Sequence, residues 1–129
     1  MQTQNAKSKT AMEQPKRYDL EDRTFEFAQM VRAFVKRLPW TICNLEDVKQ
    51  LVKASGSVGA NYIEANDALS KKDFRMRLRI SRKEAKESRY WLRLLDAGSD
   101  PALEEKRSAL IRESDELVKI ISSILNKTE

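Results

Sequence analysis

From Phe74 to Leu95 the chain carries two parallel rows whose members alternate in spacing between four and three residues. One row is Phe74, Leu78, Ser81, Ala85, Ser88, Leu92 and Leu95; the other, one position on, is Arg75, Arg79, Arg82, Lys86, Arg89 and Arg93. Spacings of four and three return a side chain to the same side only at helical periodicity, so this segment is a helix and each row is a stripe along it. The first row, apolar or small throughout, is the seam that packs inward. A third row, Ile80, Glu84, Glu87, Trp91 and Leu94, sits about 100° to the other side of the seam and is apolar at both ends. The apolar face therefore centres between the seam and this third row, which leaves the basic row outward. A helix with such a seam cannot bury it alone and needs partner helices.

The rest of the chain supplies them. Only three Gly and three Pro occur, and no segment sustains the period-two alternation of a half-buried strand, so the chain reads as all-α. Helix 1 is expected over Leu20 to Leu38, with Phe27, Val31, Phe34 and Leu38 inward and Pro39 stopping it. Trp40 falls in the connection. Asn44 is the expected cap of helix 2, with Asp47 three residues on, and the helix runs to about Leu69. Ser70 caps helix 3 in a box-like arrangement with Asp73, and Gly98 closes that helix after Ala97. Asp100 and Pro101 then form a cap and first-turn proline for helix 4, which continues through Leu103, Leu110, Leu117, Ile121 and Ile124. Short connections make sequential helices antiparallel, and the expected architecture is an antiparallel up-and-down four-helix bundle over residues 18–127. Residues 1–17, polar, aperiodic and containing Pro15, are expected to form a mobile tail. At 129 residues and 40% apolar composition the chain suits one domain with one modest core.

Helix 2 has an expected inward row of Val48, Val52, Ser55, Gly59, Tyr62, Asn66 and Leu69. Counting outward from the turn at Ser70 sets Gly59 near Ser81 and Ser55 near Ala85, small against small. Mid-helix Gly costs about 1 kcal/mol relative to Ala, so Gly56 and Gly59 point to a close backbone approach or to a local loss of helix. From Ala54 to Ser70 the only charges are Glu64 and Asp67. A helix so sparsely charged is usually covered on more than one side. Self-association is the expected second cover, with Ser57, Ala60, Ile63 and Glu64 as candidate interface residues.

The formal charge is +5, yet residues 71–93 hold ten Lys or Arg against Asp73, Glu84 and Glu87. Such concentration suits RNA, DNA or another polyanion as partner, and Arg75, Arg79, Arg82, Lys86, Arg89 and Arg93 are the candidate nucleic-acid-binding residues. The same residues would equally serve as a soluble helix face. Tyr90 and Trp91 could stack on bases, Tyr90 being the freer ring. With no His in the chain, imidazole catalysis and the Glu-x-x-His sites of di-iron bundles have no residues to work with. Glu64, Glu84 and Glu87 are better explained as ion-pair partners than as a metal site, and the mid-helix glycines lack the Walker lysine. No cofactor, metal or catalytic residue is therefore expected. Cys43 is alone, no run of about 18 apolar residues occurs, and no secretory h-region is present, so a reducing, cytoplasmic setting away from membranes is expected.

The run SGSVGANYIEANDALSKKDF, then ISRKEAKESRYWLRLL, with YDLEDRTFEFA upstream, resembles the 23S rRNA intervening-sequence protein family. The matching positions are Gly59, Ala60, Asn61, Tyr62, Ile63, Glu64 and Ala65, then Ser70 and Phe74, then Glu84, Ala85, Glu87, Tyr90 and Trp91. Trp40 departs from the polar residue expected in relatives. The resemblance implies a bacterial four-helix bundle that assembles as a homopentamer and has no known enzymatic activity. It also implies a distant link to the accessory proteins of diversity-generating retroelements, which bind a reverse transcriptase and nucleic acid through a basic pentamer surface. The expected function is a noncatalytic homo-oligomer binding RNA or DNA without sequence specificity. The alternative is a structural or protein-binding scaffold whose stripe pairs with neighbouring subunits or with an acidic partner not identified by sequence.

Overall fold

The computed structural model describes residues 16–129, with side chains from Leu20 onward, and these residues form four helices and no strand. They are α1 (Lys16–Val35), α2 (Ile42–Asn66), α3 (Lys71–Leu94) and α4 (Pro101–Lys127). Each packs on the next in chain order and α1 returns against α4, around a single apolar core. The expected tail lies outside the described residues as far as residue 15. Lys16 and Arg17 are already helical, because both are good helix formers that extend a helix its seam holds in place.

In α1, α3 and α4 the seams lie where hydrophobic spacing sets them, whereas α2 buries Leu51, Ala54, Ser55, Val58, Tyr62 and Ala65, a stripe turned about one position back from the expected row, of which only Ser55 and Tyr62 are buried. In α1, Leu20, Thr24, Phe27, Val31 and Phe34 are buried; in α3, Leu78, Ser81, Ala85, Ser88 and Leu92; in α4, Leu103, Leu110, Ser114, Leu117, Ile121 and Leu125. The α2–α3 pair is the most extensive. Its seam is small on one side, and the Ser81 hydroxyl donates to the Val58 carbonyl at 2.7 Å, so α3 rests directly on the backbone of α2. Ser55 and Ala85 are fully buried beside it.

The helix ends depart from the sequence expectation, each for a local reason. Helix α1 stops at Val35, and Arg37 and Leu38 donate to carbonyls three residues back; the residue before a proline disfavours the helical region, yet Leu38 still reaches the core. Thr41, not Asn44, caps α2, its hydroxyl accepting from the Asn44 backbone N–H at 3.0 Å. Asn44 is buried and serves another purpose. Its Nδ2 donates to the carbonyls of Pro39 and Asp96 at 3.0 and 2.9 Å, while its Oδ1 accepts from the Asp96 N–H at 3.0 Å. That side chain ties the α1–α2 connection to the end of α3.

Helix α2 ends at Asn66, and Leu69, expected inward, is 99% exposed. The extended backbone that lets the Ser70 hydroxyl accept from Asp73 N–H has to be approached through a turn, and residues 67–70 supply it. Helix α3 ends at Leu94, three residues early, because Asp96 bonds Asn44 and its own carboxylate accepts from Gly98 N–H at 2.9 Å. Gly98 takes φ +71, the left-handed turn a glycine permits. Arg107 of α4 completes that end by donating to the Leu92 and Leu95 carbonyls.

The glycines of α2 are explained by α1 and not by α3. A Cβ on Gly59 would stand 2.8 Å from the Thr24 hydroxyl, while one on Gly56 would meet only the far end of Arg32 at 3.4 Å. The close approach expected for Gly59 is present, but its neighbour is Thr24 and not Ser81. Helix is retained throughout.

Candidate nucleic-acid interface

The basic row of α3 divides into two lines, each repeating every seven residues. A seven-residue step nearly closes two helical turns, so each line keeps its own azimuth along the rod. Arg75, Arg82 and Arg89 lie closer to α4 and are engaged by it. Arg75 donates to the Leu125 carbonyl at 2.7 Å and to the Thr128 hydroxyl at 2.6 Å, and lies 3.6 Å from the Glu129 carboxylate. Arg82 donates to the Ser122 hydroxyl at 3.2 Å, and Arg89 pairs with Asp115 at 3.4 Å. Arg75 is only 15% exposed at its side chain, too enclosed to act as a surface cation.

The second line is Arg79, Lys86 and Arg93, all exposed and, among the described residues, without a hydrogen bond or ion pair. Lys72, seven before Arg79, is exposed and unpaired in the same sense and extends the line to four cations. Successive members are about 10 Å apart along the axis. Lys83 is exposed on the same outward side. Lys72 and Lys83 were not among the candidate residues, yet a strict seven-residue count back from Arg79 reaches Lys72 directly. Arg77 turns the other way and donates to Asn61 Oδ1 on α2 at 3.2 Å.

On the α2 side of α3, Glu84 is half-buried. That burial holds its carboxyl above the usual glutamate value of 4.5; repulsion from Glu87 adds to the effect, and Lys83 and Lys53 oppose it. A raised native pKa means the folded state binds the proton more readily than the unfolded chain, so this residue's contribution to stability falls as pH rises from 4.5 through the native value. Glu84→Gln is expected to flatten that decline. Urea unfolding at pH 4 and pH 7 checks it: relative to the parent, the variant should gain stability at pH 7.

Tyr90 is 54% exposed and meets Trp91 edge-on, with ring centroids 5.1 Å apart and planes at 81°. Trp91 packs against the core, as its row suggests. The candidate association residues are spread around α2. Ala60 and Ile63 line a groove of about 320 Å³ between α1 and α2, floored by Thr24, Gly56 and Gly59 and edged by Phe25. Ser57 is half-buried and its carbonyl accepts from Asn61 Nδ2, while Glu64 is exposed and has no ion pair among the described residues. Trp40, in the α1–α2 connection, is 84% exposed.

No helix among the described residues is long and apolar enough to cross a membrane, and no group of three or more His, Cys, Asp or Glu there is placed to hold a metal ion. The family model for the 23S rRNA-intervening sequence protein matches residues 16–123. No curated protein matches the chain. Among solved structures, the chain is similar to a protein of unknown function from the S23 ribosomal protein family of Bacteroides thetaiotaomicron VPI-5482. The two share 31% identity and a TM-score of 0.70, over 81% of this chain and 96% of that one.

Proposed function

The chain belongs to the 23S rRNA-intervening sequence protein family, and from its geometry we propose a noncatalytic bundle that binds RNA or DNA electrostatically, without sequence specificity. The observation that carries this reading is the line Lys72, Arg79, Lys86 and Arg93, four exposed cations on one rigid helix with no internal partner among the described residues. Cations spaced along a rod engage backbone phosphates, which position a nucleic acid without reading its bases. The bundle presenting them is antiparallel and up-and-down. In support, contacts between α2 and α3 run in opposite chain order, Asn44 with Asp96, Val58 with Ser81 and Asn61 with Arg77. The order is likewise opposed between α3 and α4, where Arg75 meets Leu125, Arg82 meets Ser122 and Arg89 meets Asp115.

The proposal includes self-assembly, a homopentamer by family resemblance, in a bacterial cytoplasm. A ring would repeat the basic line and add avidity. The apolar groove beside Ala60 and Ile63, with Phe25 61% and Ile63 48% exposed, supports a second cover for α2. Light scattering at micromolar concentration tests it, and a mass of 15.0 kDa would sink it.

For binding, Arg79→Gln/Lys86→Gln/Arg93→Gln is expected to leave unfolding unchanged. It should weaken RNA binding and reduce the slope of log affinity against log salt by roughly two to three, since each lost phosphate contact removes about 0.7–0.9. Gel shift across a salt series measures this. Parent protein without salt-sensitive binding refutes the nucleic-acid reading. The scaffold alternative is favoured by the other line, because Arg75, Arg82 and Arg89 already hold α4. Substituting these three by Gln should lower stability more than it lowers affinity.

A further inference from the structure

Resting on the nucleic-acid reading above, we infer that the bound segment is single-stranded and that Tyr90 stacks on one of its bases between phosphates held by Lys86 and Arg93. On a helix, Lys86 stands four residues before Tyr90 and Arg93 three after it, so both lie about 5–6 Å from it at Cβ. Each is exposed and without a partner among the described residues. An exposed tyrosine on a helix ordinarily samples several rotamers. Here the edge contact with Trp91, itself packed on the core, restrains the ring while leaving 54% of the residue open. A restrained aromatic between two cations is the elementary unit of single-strand binding, in which a base covers the ring and its flanking phosphates meet the charges. A duplex keeps its base faces stacked inside and offers the ring nothing but an edge or a sugar. Lys83, one seven-residue step before Tyr90, is also exposed and extends the charge on the far side of Lys86.

The neighbourhood of Tyr90 is chemically suited to this and to little else. Leu94, four residues on, is 51% exposed, so the ring borders an apolar step against which a base edge can rest. Asp115 is engaged with Arg89 at 3.4 Å, which keeps that carboxylate occupied on the α4 side. Glu87 is exposed three residues before Tyr90, and Lys83, four residues before Glu87 on the same helix, is exposed as well.

The full-length protein is titrated with fluorescein-labelled oligo(dT) and oligo(U), each of twenty nucleotides, and with a duplex and an abasic strand of the same length, across one salt series, and the probes are compared at matched ionic strength. Single strands are expected to bind about tenfold more tightly than the abasic strand. Tyr90→Ala should remove that advantage while leaving abasic binding and the salt slope unchanged, and Tyr90→Phe should retain it. Circular dichroism and urea unfolding verify that Tyr90→Ala folds like the parent. Equal binding of the base-bearing and abasic strands, or an advantage that survives in Tyr90→Ala, overturns the stacking role while leaving phosphate binding in place. A duplex preferred over the single strands overturns the single-strand assignment. Absence of salt-sensitive binding to all four probes overturns both this inference and the reading it rests on.

Discussion

Gly59→Ala is expected to destabilise the protein by about 1–3 kcal/mol, although the same change in an open helix would stabilise it by close to 1 kcal/mol. The added Cβ would lie 2.8 Å from the Thr24 hydroxyl and 3.2 Å from Thr24 Cβ. Thr24 has little room to yield. It is 1% exposed, its hydroxyl donates to the Leu20 carbonyl at 2.9 Å, and its β-branch limits it to few rotamers. The clash must then be relieved by moving α1 from α2, which opens the groove where Ala60 and Ile63 lie. Two controls separate this account from a general intolerance of α2 to change. Gly56→Ala meets only the guanidinium end of exposed Arg32 at 3.4 Å and should gain about 0.5–1 kcal/mol. In the double variant Thr24→Ala/Gly59→Ala the 2.8 Å contact is absent, and the double-mutant cycle should return at least about 1 kcal/mol of favourable coupling. Urea unfolding of the parent, Gly59→Ala, Gly56→Ala, Thr24→Ala and the double variant decides it, and a Gly59→Ala protein as stable as the parent would falsify the close-approach account.

The seam of α3 was legible because its spacing answers only to a helix and its members are all small or apolar. Ser70 as cap of α3, and Asp100 with Pro101 at the start of α4, were legible for the same reason: each satisfies a local hydrogen-bonding need that no distant residue alters. What the residues could not disclose by themselves depends on a second helix. The basic row looks uniform until α4 is placed beside it. Then Arg75 finds the Leu125 carbonyl and Arg79, a few tens of degrees further round, finds solvent. A four-three row is two seven-residue lines, and a neighbouring helix touches one of them first. The gap between Gly59 and Ser81 is similar in kind. Counting residues from a turn gives axial level, whereas the partner that forbids a Cβ is set by azimuth, and α1 holds that side of α2.

Asn44→Ala is expected to cost about 2–3 kcal/mol, more than loss of the actual cap in Thr41→Ala, for which about 1 kcal/mol is expected. The sequence invites the opposite ranking, since Asn44 looks like the capping residue. In the structure it is 2% exposed and uses both ends of its amide across a separation of 52 residues, donating to Pro39 and Asp96 and accepting from Asp96. Alanine removes these partners from three backbone groups at once, and leaving such groups unpaired costs more than a hydrogen bond contributes. Asn44→Asp sharpens the test because it keeps the shape and changes one property. A carboxylate can still accept from Asp96 N–H, but it faces the carbonyl oxygens of Pro39 and Asp96, which accept from Nδ2 in the parent. The charged form is therefore disfavoured in the folded state, the introduced carboxyl is raised above its unfolded value, and the variant should recover stability as pH falls through that window. The consequence reaches the candidate interface through Asp96, since this bond fixes the chain just beyond Leu94, where α3 ends one residue after Arg93. Amide hydrogen exchange should accordingly quicken in the last turn of α3 in Asn44→Ala while the turn at Ser70 keeps its protection. Equal loss of protection at both ends would show that the amide supports the whole bundle and not this junction.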